Sequence, residues 1–541
     1  MTARSGTALF DGPPIAVIGN GPVGQTTALL LARWGIPVLL LDQRPARDVV
    51  GSKSICQQRD VLDIWASVGA ERIAREGLAW TTARTFYRDR ELFSWSFVDP
   101  GRSALPACVN ISQSRTEAIL DDCIAAQPLI DLRWGHEVTG ISQDDTGVTL
   151  TSDTGTLQVV YAVLCAGARA ETLRQQLGVT FEGESFDDRF LICDIRADLP
   201  GWENERRFYF DPVWNPDRQV LIHPCPDSTY RIDWQVPEDF DAEAERADGR
   251  LDARIRQIVG DRPYEIVWQS VYRFQSRCAD RMRVGRVLLA GDCAHLYAPF
   301  GARGLNSGVP DAENAAWKLA FVLHGWAPVE LLETYHLERH AAALENLDVT
   351  SATMRFLVPP DAAHWSRRRA LLDAALADPA KVADVDSGRF AEPFWYVDSP
   401  LTTADATRPF GGRPPRGQLP PPGPGIVVPD APVTGGGRLR ELVRDGLLLL
   451  TTDGTQTAVS AEGVDAAGLA ATIAAATCAP HRVVSLTDLG LDNTVVGARP
   501  GEAWLIRPDG HVSAVLTDLS PESVRTAVRR TLSAGRMPAE L

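Results

Sequence analysis

The stretch Pro14-Ile15-Ala16-Val17-Ile18-Gly19-Asn20-Gly21-Pro22-Val23-Gly24 decides the fold, taken with the segments at 25–34 and 38–41 and the acid at Asp42. An apolar run enters three glycines in a G-x-G-x-x-G spacing, a helical segment follows, and a second apolar run ends on a carboxylate. Glycine at 19 and 21 permits a tight turn and close approach of a pyrophosphate to backbone N–H groups. Glycine at 24 lets the helix pack against the strand, and the helix N-terminus favours negative charge. Asp42, about 20 residues on, is placed to accept hydrogen bonds from a ribose. The bare glycine spacing is common in loops, but strand, turn, helix, strand and acid in that order predict a dinucleotide-binding unit. Pro22 and Val23 in the turn, and Gln43 and Arg44 after the acid, join the expected cofactor-contacting set.

With 541 residues and a 45% hydrophobic composition, the chain is long enough for a large core and for roughly two to four domains. No apolar run approaches the ~18–20 residues that span a bilayer, and residues 1–14 hold a single Arg and no long apolar stretch, so a cytoplasmic location is expected. The nine cysteines are scattered without a CxxC pair or zinc spacing and read as small buried hydrophobes. His336 and His340 share a helix face, but no third ligand accompanies them and no metal site is expected. A net charge of −16, from 70 acids against 54 bases, offers no basic stripe and makes nucleic acid a poor partner.

From about 14 to 177 strand-like runs (15–18, 38–41, 159–164) alternate with helical ones (25–34, 57–68, 114–126), which predicts a sheet covered by helices. Between 190 and 268 the pattern turns to short alternating stretches at 207–210, 219–223, 230–236 and 266–271, a β-rich insertion. A hydrophobic strand at 286–289, a glycine-rich loop and helices at 311–324 and on through 356 then return to the first unit. Pro and Gly dominate 411–437, a composition that stiffens a connector and does not build a core. Beyond it, strands at 447–451, 482–486, 503–506 and 511–516 and helices at 466–475 and 521–532 form a small α/β unit.

The blocks Arg286-Val-Leu-Leu-Ala-Gly-Asp-Cys-Ala-His295, Pro299-Phe-Gly-Ala-Arg-Gly-Leu-Asn-Ser-Gly308 and Asp311-Ala-Glu-Asn-Ala-Ala-Trp-Lys-Leu319 resemble the group A flavoprotein monooxygenases. These are the single-component aromatic hydroxylases that include the p-hydroxybenzoate, phenol and 3-(3-hydroxyphenyl)propionate hydroxylases. The resemblance covers about residues 14–400. It implies an α/β, Rossmann-like FAD-binding fold of the p-hydroxybenzoate hydroxylase type. The FAD-binding domain would be built from 1–189 and 276–410, around a β-rich substrate domain at 190–275. A linker at 411–437 would lead to a thioredoxin-like C-terminal domain at 438–541, which lacks a redox dithiol because Cys478 stands alone.

Carried across residue by residue, the resemblance implies that Gly19, Gly21 and Gly24 hold the FAD pyrophosphate and Asp42 the adenosine ribose. Lys53 falls where many relatives have an arginine near the flavin phosphates. Gln113 matches an FAD-contacting glutamine, Asp292 would bind ribityl hydroxyls, and Val138 and Gly167 complete the set. Pro299 would sit against the reactive edge of the flavin, with the N–H groups of Gly304, Leu305 and Asn306 facing its pyrimidine ring. A helix N-terminus there would stabilise the anionic reduced flavin. Arg303 replaces a family glutamine and either adds positive charge near the flavin or points to solvent. The family's middle motif, Asp-Gly followed by a small residue, Arg and Ser, here reads Ala166-Gly167-Ala168-Arg169-Ala170. Losing its Asp and Ser puts the handling of the pyridine nucleotide in question, and Arg169 remains as a contact.

The chemistry so implied is reduction of FAD by NADH or NADPH, addition of O₂ at flavin C4a, and oxygen transfer from the hydroperoxide to a phenolic or other electron-rich ring. No second glycine fingerprint follows a later strand, in keeping with transient nicotinamide binding. The substrate is expected between flavin and β-rich insertion, against Tyr209, Tyr230, Trp234 and Phe300. His223 is the best acid/base among the polar residues there. Asn110, near a pocket position that can hold an acid in relatives, can hydrogen-bond but not act as a base, so the base stays unassigned. A homodimer is the family expectation. The competing readings are a non-oxygenating flavin-binding redox or partner protein, for which Ala166 is the support, and a flavin oxidoreductase on another substrate class. The sequence lacks the paired-tryptophan signature of a halogenase.

Overall fold

Strand Ile15–Ile18 sits inside a six-stranded sheet, in the order Arg283–Val284, Val287–Leu289, Ala162–Leu164, Ile15–Ile18, Val38–Asp42, Ile130–Trp134. The computed structural model describes residues 9–48, 51, 53–97, 103–415, 418–452 and 465–534. The sheet is parallel apart from the hairpin at its 283–289 edge, with Ile15 opposite Val38 and Ala16 opposite Ala162. Its strands are continuous apolar runs because helices cover both faces: Ile15, Ala16 and Val17 are wholly buried. Helix Pro22–Arg33, entered through Pro22, packs on helix Arg303–Leu323 and on helix Gln113–Ala125. The neighbours of Ile15–Ile18 continue the chain in opposite directions across the sheet, so the carboxyl end of this strand is a topological switch point, where ligands bind in such folds.

The single strand expected at 159–164 divides. Gly155–Val159 closes a three-stranded antiparallel meander with Val138–Gln143 and Val148–Ser152, and only Ala162–Leu164 enters the parallel sheet. The helix expected at 57–68 is Arg59–Ala66, because Cys56–Gln58 pairs as a strand with Cys108–Asn110.

The β-rich region is an eight-stranded sheet in the order His295–Leu296, Tyr264–Ala279, Phe181–Ala197, Thr229–Val236, Val220–Cys225, Glu205–Phe210, Thr82–Tyr87, Arg90–Ser96. It is larger than the 190–275 insertion read from sequence. Its long central strand starts at Phe181, and the hairpin at 82–96 completes the far edge through a parallel pairing with Glu205–Phe210. Alternation splits the sheet into two faces. Leu191, Cys193, Ile195, Val220, Ile222, Tyr230, Ile232 and Trp234 pack with Leu251, Ile255 and Val259 of helix Arg250–Val259. Phe190, Phe208, Phe210 and Leu221 point the other way, toward Ala298 and Phe300 and to Met354 and Leu357 at the end of helix Glu333–Leu357.

The C-terminal sheet runs His481–Ser485, Leu447–Thr451, Ala503–Ile506, Val512–Leu516, with the first pair parallel and the others antiparallel. Leu447, Leu449 and Leu505 join the same core as Trp317 and Phe321 of helix Arg303–Leu323. Leu448, Leu450, Trp504 and Ile506 form a second core with Val428, Ala431 and Leu439. The proline-rich segment is therefore not a bare connector. Within it the short apolar run at 426–428 is tied down by Gly425 N–H to Val512 O at 2.7 Å and Val428 N–H to Gly510 O at 2.8 Å, and Val428 is wholly buried.

Candidate active site

Three loops meet at the carboxyl end of strand Ile15–Ile18. Gly19 turns with φ +110°, and a Cβ there would stand 2.3 Å from the Cys165 carbonyl oxygen. A Cβ on Gly24 would stand 1.8 Å from Gly19 O, and one on Gly308 would stand 2.7 Å from Val23 Cγ2. The turns at 19–24 and 165–167 and the 291–308 segment are thus packed to backbone contact. By contrast, a Cβ on Gly21, Gly167 or Gly304 would meet nothing within 4 Å. These glycines line an open cleft. Arg174 joins two of the loops, donating to Cys293 O at 3.2 Å and Ala168 O at 3.3 Å. Arg169, in contrast, is exposed.

The Gly291-Asp292 turn is held from behind. Asp311 accepts from Gly291 N–H at 3.0 Å and Arg339 Nε at 2.7 Å, and His295 Nε2 lies 2.7 Å from it. Burial raises the Asp311 carboxyl, but His295 and Arg339 outweigh it and hold it below the ordinary range. Asp292 itself is solvent-accessible although protein crowds it, as befits the wall of a deep cleft, and that crowding raises its carboxyl despite His295 and Lys53. Helix Arg303–Leu323 starts after Ala302, which sits in the left-handed region at φ +57°. Its first N–H groups have no partner within the helix.

The face of the eight-stranded sheet that carries Phe208 and Leu221 packs against this loop. Phe300, within the loop, packs its ring on Phe190 at 5.6 Å and Phe208 at 6.4 Å between centroids. Arg206 lies over Phe208 and Phe390, and Trp80 packs on Phe390. Further polar residues on this face include Arg231, paired to Asp194 at 2.7 and 2.8 Å, and Asp233 and His223, whose Oδ2 and Nε2 lie 3.7 Å apart. Of the side chains expected to line the substrate site, Phe300 packs on this face. Tyr209, Tyr230 and Trp234 do not. Tyr230 and Trp234 belong to the core against helix Arg250–Val259, and Tyr209 stacks on Phe86 at 4.7 Å on that same side. The strand period is 2, and its phase placed their neighbours, Arg231 and Asp233, inward instead. Asn110 is sealed, its amide donating to Pro224 O at 2.7 Å and accepting from Trp80 Nε1 at 3.0 Å, and the residue is wholly buried. Sequence reasoning missed Arg206, Arg231 and Asp194. For Arg231 and Asp194 the signal was a charged residue between apolar ones in a strand, whereas Arg206, flanked by Glu205 and Arg207, carried no such signal.

A family model for an FAD binding domain matches residues 13–350. The chain belongs to this FAD-binding family. A rifampicin monooxygenase from Streptomyces venezuelae is 32% identical over 363 residues, which cover 64% of this chain and 72% of that one. A 3-(3-hydroxy-phenyl)propionate/3-hydroxycinnamic acid hydroxylase from Mycobacterium sp. (strain KMS) is 28% identical over 66% of this chain, which spans 62% of the relative's length. The crystal structure of the flavin-dependent monooxygenase PieE with FAD and substrate superposes with a TM-score of 0.80 at 23% identity, covering 98% of this chain and 100% of that one. The fold is thus shared over nearly the whole chain, C-terminal unit included.

The residues of this family member fit FAD. Both amide atoms of Asn20 are buried without a protein partner among the described residues, at the mouth of the turn where Gly21 leaves room. Asp42 is oriented by Asn20 N–H at 2.8 Å and by three donors of Arg44 at 2.9 Å each. Burial raises its carboxyl, and these hydrogen bonds, the larger effect together, hold it below the ordinary range. Gln43 is exposed beside it, and Val138 is half-buried. Gln113 opens helix Gln113–Ala125 and accepts from Ser54 N–H at 3.1 Å, next to the exposed Lys53. Pro299 is exposed on the loop, and Gly304 and Leu305 are half-buried. Asn306 offers its backbone only, since its side chain accepts from Gln58 N–H at 2.9 Å and donates to Cys56 O at 2.9 Å. Arg303 takes neither of the two places open to it in the sequence. It turns away from cleft and solvent and donates to Asn346 and to the carbonyls of Arg389 and Phe390.

Proposed function

We propose that this chain is an FAD- and NAD(P)H-dependent monooxygenase that hydroxylates a phenolic or other electron-rich aromatic small molecule. The observation that carries the reading is the loop at Pro299-Phe300: Pro299 is exposed beside the Gly291-Asp292 turn, while Phe300 anchors the loop on Phe190 and Phe208 of the eight-stranded sheet, the sheet whose same face carries Arg231, Asp233 and His223. Relatives named for hydroxyphenyl substrates support it. Bound FAD would supply the redox chemistry, accepting a hydride and activating dioxygen, with one oxygen atom going to the ring and one to water.

The protein's part is positional and electrostatic. Gly19, Gly21, Gly24, Asp42, Gln113, Lys53, Gly167 and Asp292 hold the dinucleotide, with Val138 and Arg44 at its adenosine end. The helix N-terminus at Gly304, Leu305 and Asn306 stabilises negative charge on the reduced ring. Phe190, Phe208 and Phe300 form the packed apolar backing of the site and keep water from it. The nicotinamide approaches transiently along the turn at 165–170, where exposed Arg169 is the phosphate contact that remains beside Ala166 and Ala170. We assign the C-terminal unit to the thioredoxin-like class. The 2-1-3-4 order of its strands supports this, and Cys478, exposed and alone, fits a structural rather than a redox role. A cytoplasmic homodimer belongs to the same proposal. No helix among the described residues is long and apolar enough to cross a membrane.

Rapid-mixing reduction of the yellow holoenzyme by NADH and by NADPH, with and without phenols, tests the reading. The expected result is ligand-accelerated reduction by one nucleotide and a product heavier by one oxygen atom in mass spectrometry. Firm FAD binding with no reduction by either nucleotide across a broad phenol panel would instead favour the non-oxygenating flavoprotein that Ala166 suggests.

A further inference from the structure

The hydrogen-bonded pairing of strands Val220–Cys225 and Thr229–Val236 sets Leu221 opposite Asp233 and His223 opposite Arg231. These four residues share the sheet face that carries Phe208. His223 Nε2 and Asp233 Oδ2 lie 3.7 Å apart, too far for a hydrogen bond with each other. Their other polar atoms, Nδ1 and Oδ1, are sealed in protein without a partner among the described residues. The remaining exposure of the two side chains, 12% and 19%, therefore falls on the edge that carries the facing pair. An oxygen lying about 2.8 Å from both atoms fits that gap. Such an oxygen would donate to a carboxylate and accept from an imidazole N–H, which a phenolic hydroxyl does and an ether does not.

We propose that Asp233 is the base that takes the proton of a phenolic substrate, and that His223 is the neutral donor that holds the same oxygen; this rests on the hydroxylase reading above. The O–H bond of the phenol breaks, its proton forms a new O–H bond on Asp233 Oδ2, and the electron pair stays on the substrate oxygen. That oxygen is then bound by His223 Nε2–H in the field of Arg231 and Arg206. The electron-rich phenolate ring is the better acceptor of an electrophilic oxygen. Asp233 afterwards returns its proton to water.

The charged and titratable groups around the pair suit these roles. Asp233 faces Arg231 on its own strand, Asp194 on strand Phe181–Ala197, Arg206 on strand Glu205–Phe210, and the thiol of Cys225, while the thiol of Cys193 lies on the opposite face of the sheet. Burial pushes the Asp233 carboxyl up to about 7, with Asp194 adding to it and the two arginines opposing. A base poised there works at neutral pH. Burial, then Arg206 and Arg231, hold His223 well below its ordinary range, so it stays a neutral donor. This reverses the sequence-based assignment of His223 as the acid/base.

The test is the pH dependence of ligand binding to the oxidised holoenzyme, read from the flavin absorbance without any nucleotide. The ligands are phenol and 2-naphthol, with the methyl ether of 2-naphthol as control. As pH falls through 7, Asp233 takes a proton from solvent and ceases to be an acceptor, so Kd for the phenols is expected to rise about tenfold per pH unit below that point. The ether should show no step. Asp233→Asn protein that retains FAD should bind phenols with a flat profile, and its kcat should fall by about 100-fold or more. His223→Gln should bind more weakly at every pH and keep the step. A flat wild-type profile, or a step that survives in Asp233→Asn, overturns the assignment while leaving the hydroxylase reading intact. Failure of both phenols to bind at any pH overturns both.

Discussion

Alanine at position 24 is expected to abolish the folded flavoprotein, whereas alanine at position 21 is expected to leave a folded protein with little FAD. The two glycines are three residues apart in one motif, but the space around them differs. A Cβ on Gly24 would lie 1.8 Å from Gly19 O, a backbone atom fixed by the turn, and 3.3 Å from Cys165 Cβ. Neither neighbour can rotate away, so helix Pro22–Arg33 would have to lift from the central strand. Ordinary overpacking costs ~1–3 kcal/mol because side chains give way. Here the cost should exceed about 4–5 kcal/mol, the range where a substitution unfolds a domain. Gly21 has extended backbone, φ −84° and ψ 179°, and nothing lies within 4 Å of its would-be Cβ. Alanine fits the apoprotein without strain, but it fills the cleft that a pyrophosphate must enter. The expected loss of FAD affinity is about tenfold or more, or at least ~1.4 kcal/mol. Circular dichroism and the flavin-to-protein absorbance ratio separate the two outcomes: Gly21→Ala folded and pale, Gly24→Ala unfolded or insoluble. Equal behaviour of the two variants would contradict this division between packing and ligand space.

The same motif shows what a sequence discloses. The turn at Gly19, Gly21 and Gly24 and the strand end at Asp42 were legible because so tight a strand-to-helix turn admits few residue types, so identity implies position. The block at Gly291-Asp292 was legible for the same reason. Strand phase was not. Tyr230, Arg231, Trp234 and Asp233 sit in a strand buried on both faces, where alternation gives the period but either phase buries every side chain. Aromatic residues looked like the pocket, yet the sheet used them as core and turned its charged residues inward. The hairpin at 82–96 was missed because it pairs with Glu205–Phe210, more than a hundred positions away, and its exposed edge is rich in charge. Arg303 shows a further limit. Its burial against three oxygen acceptors depends on Asn346, Arg389 and Phe390, which nothing in its local sequence indicates.

Glu338→Ala is expected to destabilise the whole molecule by about 3–5 kcal/mol, because it would remove a buried carboxylate that holds cations of two structural units at once. Glu338, on helix Glu333–Leu357, is 2% exposed. It accepts from Arg507 of the C-terminal unit at 2.5 and 2.9 Å, from Lys318 of helix Arg303–Leu323 at 2.6 Å, and from Asn314 and Ser399 at 2.8 and 2.5 Å. Burial raises its carboxyl, but Arg507 and Lys318 outweigh that and hold it far below the ordinary range. Loss of the carboxylate would affect the two cations differently. Burial already lowers Lys318 to about 8 against the pull of Glu338, so without that pull it can shed its proton and become neutral. Arg507 cannot, since a guanidinium stays charged, and Asp509 alone would then balance it at 2.6 Å. The same helix carries Arg339, which braces Asp311 behind the Gly291-Asp292 turn, so loosening it should release FAD as well as the C-terminal unit. Arg507→Met should cost less, because Glu338 keeps Lys318 and Asp509 keeps Trp317 Nε1 at 3.1 Å. Thermal release of flavin fluorescence reads the order directly. A shift of roughly 2–4 °C per kcal/mol puts Glu338→Ala about 10 °C below wild type and Arg507→Met between them. The reverse order would mean that the arginine, rather than the carboxylate that gathers both units, is the centre of the junction.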